Sequence, residues 1–581
     1  MVWAPRASTV ELVLPAQDSA VPMTRETDGW WSAPALADGT DYAFSLDGGP
    51  ARPDPRSAWQ PHGVHGPSRV FDPAAFARLA GWSGLEASGA IHYELHVGTF
   101  TPGGTLDSAI ERLDHLVDLG VGMVELMPLA AFDGDRGWGY DGVAPYAVHH
   151  AYGGPAALQR FVAAAHERGL GVCLDVVYNH LGPSGAYLRE FGPYFSSRHT
   201  TPWGDGVNLD GPDSAAVRAY FIDNALRWFA DFGIDALRLD AIHALVDDSE
   251  VHLLAELSER TAELSRRLGR PLSLTAESDL NQPAVVLPTA SGGLGMTAQW
   301  ADDVHHALHA MITGERHGYY VDFGSLKVLA KALTEVFVHD GSYSTFRGEN
   351  WGAPVPPGHS GHAFVVSDQN HDQVGNRAIG DRPSRVLSPG QLAIEAALLL
   401  TSPFTPMLFM GEEWGTQTPF QFFTSFTDPV LGEAVREGRT REFGSHGWDE
   451  LYGGPVHVPN PQDEATFGAS KLDWAELGSP VHARMLSFYR ALIALRREMP
   501  DIASGDRAAT SVRYDSADST WLVVHRGRVA VVANLDSRAR EVPLPGADSR
   551  EPLLAWVPVT LGPKTVSMPA HDIVVLGPER P

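Results

Sequence analysis

Between Ile91 and Met410 a short apolar run recurs eight times, and many of the runs lead into a stretch with helical periodicity. The runs are 91–97, 121–127, 171–177, 234–239, 272–276, 296–300, 363–366 and 407–410. The clearest helical stretches are 106–119, 156–168, 215–232 and 251–268, and Gly120, Gly169, Gly233 and Gly269 follow their ends, where C-terminal cap glycines belong. Buried strands alternating with amphipathic helices imply a parallel sheet. Eight such units over about 400 residues imply a (β/α)8 TIM barrel with inserted loops, placing the chain in the α/β class. A doubly wound open sheet is the alternative, but the glycine fingerprint it would carry after 91–97 is missing.

The flanks read differently. Residues 1–80 hold short alternating stretches, such as 10–14 and 42–46, separated by turn clusters at Asp38-Gly39 and Asp47-Gly48-Gly49-Pro50. That is the pattern of a small, carbohydrate-binding-module-like β-sandwich. Its first strand begins almost at Met1 and reads as shortened. Residues 50–73, rich in Pro, Gly, His and Arg, read as a linker. Alternation returns at 521–525, 528–534, 541–544 and 572–576. The chain is therefore divided into an N-terminal β-sandwich (1–80), a central barrel (81–503) and a C-terminal β-sandwich (504–581).

Composition excludes several function classes. A net charge of −28 repels phosphate backbones and anionic membranes, so neither nucleic acid nor a membrane is an expected partner. The single cysteine, Cys173, forms no internal disulfide and rules out cysteine-based zinc modules. With no secretory leader and no membrane-length apolar run, a cytoplasmic location is expected.

In a barrel of this kind the chemistry sits at the C-terminal strand ends. In 171–180, Val172, Leu174 and Val176 take the outward parity, which turns Asp175 inward with Asn179 and His180 just past the end. In 234–240, Arg238 and Asp240 share the inner face; in 272–277, Glu277 does. Past the seventh run comes Asp368-Gln-Asn-His-Asp372. One buried acid on a strand is most often a structural hydrogen-bonding group. Acids converging from four strands are not, because buried like charges raise each other's pKa and cost stability. Glycoside hydrolysis uses such a set, with one carboxylate as nucleophile and one carboxyl as proton donor. Arg238 would keep Asp240 ionised. Glu277, with no cation near it in sequence, should have a raised pKa suited to acid/base work.

The segments Asp175-Val-Val-Tyr-Asn-His180, Gly233-Ile-Asp-Ala-Leu-Arg-Leu-Asp240, Thr275-Ala-Glu-Ser-Asp279 and Asn370-His-Asp372 resemble the conserved regions of the α-amylase family (glycoside hydrolase family 13), in the family's order. The resemblance covers essentially the whole chain. It implies Asp240 as nucleophile, Glu277 as acid/base and Asp372 as transition-state stabiliser, with retained α configuration. In such retaining enzymes the two carboxyls stand about 5–5.5 Å apart. It implies sugar-binding roles for His180, Arg238 and His371, with Asp175 among them, and places Tyr140 beneath the reacting sugar. Stretches such as Tyr93-Glu-Leu-His-Val-Gly-Thr-Phe-Thr-Pro102 and Met410-Gly-Glu-Glu-Trp414 are similar to the branch that cuts the α-1,4 bond beside the terminal trehalose of maltooligosyltrehalose. That substrate and related α-glucan oligosaccharides are the expected partners, with no cofactor and no metal. Branching and debranching enzymes of the family are the alternative reading. A non-catalytic glucan-binding protein is the remote one, and the intact acids argue against it.

Trp203, on the loop after the third run, is a candidate for stacking on a sugar, or else for packing that loop down. Glu315, Glu412 and Glu413 are weighed as further substrate contacts. His305 and His309, four residues apart, are weighed as metal ligands and set aside because no general base accompanies them. The stretch from His180 to about Asp210 leaves little room for a calcium-binding subdomain.

Overall fold

The computed structural model describes residues 1–75, 81–443, 452, 454, 456–516 and 519–578. Eight parallel strands close a barrel: β1 His92–Leu95, β2 Met123–Leu126, β3 Gly171–Val176, β4 Ala236–Leu239, β5 Ser273–Ala276, β6 Ala298–Trp300, β7 Phe364–Ser367 and β8 Thr405–Phe409. Each overlaps one of the eight apolar runs, and β8 closes on β1 with Met407 opposite His92. The strands read as continuous apolar runs because they are covered on both faces. Val172, Leu174 and Val176 join the large core shared with the helices, whereas Cys173 packs with Ala87, Met123 and Ala236 in a small separate cluster. Register then sets the heights: Asp175 pairs with Arg238, and Leu239 with Ala276. Asp240 and Glu277 each follow one residue later, at the same rim.

Three of the four expected helices form, as Gly154–Glu167, Ser214–Phe232 and Leu253–Leu268. Gly233, at φ 77°, turns the second of these straight into β4. The stretch 106–119 is instead two helices, Leu106–Ile110 and Leu113–Leu119. The break falls at Arg112 (φ −108°, ψ −1°), whose guanidinium lies 4.3 Å over the Trp474 ring.

At the N-terminal end a three-stranded antiparallel sheet (Val2–Trp3, Trp30–Ser32, Thr24–Arg25) accompanies a four-stranded one (Ser19–Pro22, Val10–Leu14, Asp41–Leu46, Ser68–Arg69). The stretch 50–73 is not a free linker. Ser68–Arg69 adds to the sheet opposite Asp41 and Tyr42, Ser57, Gln60 and Ser68 are buried, and Pro55 accepts a hydrogen bond from Tyr220 at 2.9 Å. At the C-terminal end a five-stranded sheet and a three-stranded one repeat the antiparallel arrangement. Four of their strands, Thr510–Arg513, Pro552–Ala555, Thr560–Leu561 and Thr565–Met568, lie outside the stretches legible in the sequence. Arg526 joins this end to the barrel: its buried guanidinium donates to the Thr401 carbonyl just before β8, beside the carbonyls of Leu400, Ser402 and Phe404 that Arg496 of the barrel holds. Among the described residues no helix is long and apolar enough to cross a membrane.

Candidate active site

Arg238 is the hub of the rim. Its Nη1 donates to Asp175 Oδ2 at 2.8 Å and to Asp240 Oδ1 at 2.9 Å, while Nη2 lies 3.7 Å from Glu277 Oε2. The guanidinium is fully buried and sits 4.4 Å over the Trp300 ring. One cation therefore serves three carboxyl groups, and the fold brings it to Glu277 although none stands near that residue in sequence. Desolvation nonetheless dominates at Glu277, whose carboxyl is pushed up to about 8; Asp240, Asp372 and Asp302 add to the shift and Arg238 opposes it. Burial likewise raises Asp175 to about 7, against the pull of Arg238 and the Tyr140 hydroxyl.

The ends of β4 and β5 are stitched by backbone. Ala241, directly after Asp240, adopts the left-handed conformation (φ 40°, ψ 54°), which costs a residue with a side chain about 1–2 kcal/mol. The turn aims its N–H at Glu277 Oε2, 2.6 Å away. Ile242 N–H donates to Glu277 O at 3.0 Å, and Glu277 N–H to Leu239 O at 2.9 Å. On the other side Asn179 Nδ2 donates to both Oδ2 and the carbonyl of Asp240 at 2.8 Å.

Aromatic groups wall the mouth. Tyr140 donates its hydroxyl to Asp175 Oδ2 at 2.6 Å and stacks on His371, with ring centroids 5.0 Å apart. His371 Nε2 lies 3.5 Å from Asp372 Oδ2, and Asp372 is the most open of the acids, with its side chain 44% exposed. His180 donates from Nε2 to the Tyr140 carbonyl at 3.0 Å. Its ring stacks on Trp203 at 4.5 Å with planes 3° apart, on the hairpin formed by Phe195–Thr201 and Gly204–Val207. Trp203 thus packs one face down and stays half exposed. Contacts connect all nine residues read from the sequence: Asp240, Glu277, Asp372, Tyr140, Asp175, His180, Trp203, Arg238 and His371.

Two carboxyl groups at the site escaped sequence reasoning. Glu94, on β1, grips His371; its signal was an acid with inward parity in His92-Tyr-Glu-Leu95. Asp302, two residues past β6, is raised to about 7 by burial and by Asp372, Asp303 and Asp279. Its neighbour Asp303 is committed to structure, accepting from Val338 N, His339 N and Asn281 Nδ2. The residues weighed as further substrate contacts or metal ligands find partners within the protein. Glu412 and Glu413 are enclosed in the core, bonded to the hydroxyls of Tyr489 and Tyr93 respectively, with His115 also on Glu413. Glu315 is taken up by Arg377 and His309, and His305 by the Tyr320 hydroxyl. Among the described residues one group, His199, Asp210 and Asp248, brings possible metal ligands within 4.8 Å of one another. Arg198 stands 3.7 Å from both of its carboxylates and supplies the positive charge there.

Residues 68–201 match the family described as "Alpha amylase, catalytic domain", and residues 505–575 match a domain of unknown function (DUF3459). Over 99% of its length the chain is 52% identical to the malto-oligosyltrehalose trehalohydrolase of Arthrobacter ramosus, of which it covers 95%. The chain belongs to the malto-oligosyltrehalose trehalohydrolase family. A trehalohydrolase of Mycobacterium tuberculosis (strain ATCC 25618 / H37Rv) is 49% identical over 100% of the chain and 99% of that protein. By contrast, the 1,4-alpha-glucan branching enzyme GlgB of Corynebacterium jeikeium, 32% identical, matches this trehalohydrolase-family chain over only 36% of its length and 32% of that protein. Among solved structures, a putative alpha amylase from Salmonella typhimurium superposes with a TM-score of 0.88 at 38% identity, covering 99% of this chain and 97% of that one. The GBS pullulanase SAP in complex with maltotetraose shares the fold at a TM-score of 0.71 and 17% identity, over 100% of this chain and 86% of that one.

Proposed function

We propose that this chain is a retaining glycoside hydrolase that cleaves the α-1,4-glucosidic bond next to the terminal trehalose of maltooligosyltrehalose, releasing trehalose and a maltooligosaccharide. The observation that carries the reading is the Arg238 cluster, in which one guanidinium stands between Asp240 and Glu277 while burial keeps Glu277 protonated at neutral pH. Asp240, held by Arg238 and Asn179, attacks the anomeric carbon and forms a β-glycosyl ester. Glu277 gives its proton to the departing trehalose oxygen. As a carboxylate it then takes a proton from the water that hydrolyses the ester, which restores both groups. Asp372 meets the sugar hydroxyls of the distorted ring, and Tyr140, His180 and Trp203 offer it aromatic faces. Asp175 and His371 complete the sugar contacts.

Full-length similarity to trehalohydrolases, set against a partial match to a branching enzyme, favours water over a glucan chain as acceptor. We assign catalysis to the barrel (81–503), between sandwiches at 1–80 and 504–581. The lone buried cysteine suits a reducing cytoplasm. Incubation with maltotriosyltrehalose and, separately, with a plain maltooligosaccharide tests the reading. Free trehalose from the first, with slow cleavage of the second, is the expected result. New α-1,6 branches on amylose would overturn it in favour of a transferase.

A further inference from the structure

We propose that Glu94 is a positioning residue for the reaction set out above: reaching from β1, it clamps His371 by two hydrogen bonds and keeps the imidazole Nε2–H aimed at Asp372 and the sugar. The inference rests on that functional reading and concerns a residue that touches no substrate itself. Both side chains are 1% exposed. Glu94 Oε1 accepts from His371 Nδ1 at 2.5 Å, and Oε2 accepts from the backbone N–H of the same residue at 2.8 Å. Ring and main chain are gripped by one carboxylate, so neither the ring nor the short helix His371–Gly375 shifts without breaking a charge-assisted bond.

The grip also fixes the protonation of the ring. A carboxylate facing Nδ1 demands a proton there, and in the imidazolium that Glu94 and Asp372 favour, Nε2 carries the second proton and points outward, 3.5 Å from Asp372. The other groups around the ring offer no competing acceptor at Nδ1. Tyr140 covers one face at 5.0 Å with its hydroxyl committed to Asp175, Trp138 meets the ring edge-on at 5.7 Å, and Trp300 lies tilted at 6.0 Å. Burial disfavours the imidazolium, and Arg238 opposes it. Asp372 and Glu94 outweigh both and lift His371 to about 9. His96 nearby is lowered to about 4 by burial and adds no charge at neutral pH. A charged His371 thus offsets the negative charge of Asp372 beside the two reacting acids.

Glu94→Gln separates positioning from packing. Glutamine keeps the size and can still accept the backbone N–H, but it puts a neutral amide where the anion stood. If His371 falls from about 9 to near the ordinary histidine value of about 6.5, its charged fraction at pH 7.5 drops about tenfold. The expected result is an about tenfold lower kcat/KM for maltotriosyltrehalose at pH 7.5, recovered below pH 6. NMR titration of 13C-labelled histidines, with His371 assigned by His371→Gln, reads the clamp without turnover. Its midpoint should fall by more than one pH unit in E94Q. An unchanged His371 midpoint, or a loss of activity equal at every pH and accompanied by a lower melting temperature, overturns the proposal. A wild-type chain that releases no trehalose, with the NMR shift intact, upholds the clamp and overturns the substrate reading alone.

Discussion

Replacing Glu277 with glutamine should stabilise the protein, by an amount that grows with pH. The buried carboxyl is held up to about 8, against an ordinary value of 4.5, so the folded chain keeps a proton that the unfolded chain has already released. Below about pH 4.5 both states are protonated and nothing is lost; stability then falls as pH rises through the window to about pH 8, and the loss is complete above it. One proton is worth 1.36 kcal/mol per pH unit, so the upper limit between pH 5 and pH 8 is about 4 kcal/mol. Glutamine has no proton to lose. Wild type and E277Q should melt together at pH 5 in scanning calorimetry, and the variant should melt progressively higher up to pH 8, where the difference levels off. The same change removes a general acid worth about 10²–10⁴-fold, so trehalose release should collapse as stability rises. In the wild type, kcat/KM should fall about tenfold per pH unit above about pH 8. A melting difference constant from pH 5 to pH 8 would refute the claim that Glu277 carries a proton at neutral pH.

Three further outcomes test other parts of the site. Asp240→Asn should abolish trehalose release while oligosaccharide binding stays measurable by calorimetry. Tyr140→Phe removes the 2.6 Å bond to buried Asp175. A hydrogen bond to a charged group is worth about 1.5–3 kcal/mol, so kcat/KM should fall about 10- to 150-fold. Trp203→Ala removes the half-exposed ring stacked on His180; aromatic pairing of about 0.5–1.5 kcal/mol translates into a KM about 2- to 12-fold higher, with kcat less affected.

The barrel was legible because its strands are short, apolar and covered on both faces, so each stood out from the polar loops around it. Parity along β3, β4 and β5 then sufficed to turn Asp175, Arg238, Asp240 and Glu277 inward, and the register sets Asp175 level with Arg238, with Asp240 and Glu277 together further along towards the strand ends. Three-dimensional neighbours were harder to read. Arg238 looked like a partner for Asp240 because the two are close in sequence; its reach to Glu277 depends on the adjacency of β4 and β5. Glu94 escaped notice because its partner lies 277 residues away, across the closure of β8 onto β1. Glu412 and Glu413 misled in the opposite sense. They were weighed as substrate contacts for their place in a stretch similar to the family, whereas Tyr489, Tyr93 and His115 satisfy them inside the core. Composition likewise suggested a linker at 50–73, where a turn-rich segment instead adds a strand to the sheet.

The left-handed turn at Ala241 has a wider meaning for how such a chain can diversify. The spacing between Asp240 and Glu277 is measured out by peptide units bonded across Leu239, Ala241, Ile242 and Glu277. The hairpin bearing Trp203 contributes none of those bonds. The reactive interval is therefore insulated from that hairpin, and mutations that rewrite it to suit another glucan leave the interval calibrated. Selection can act on what is bound without renegotiating how the bond is broken.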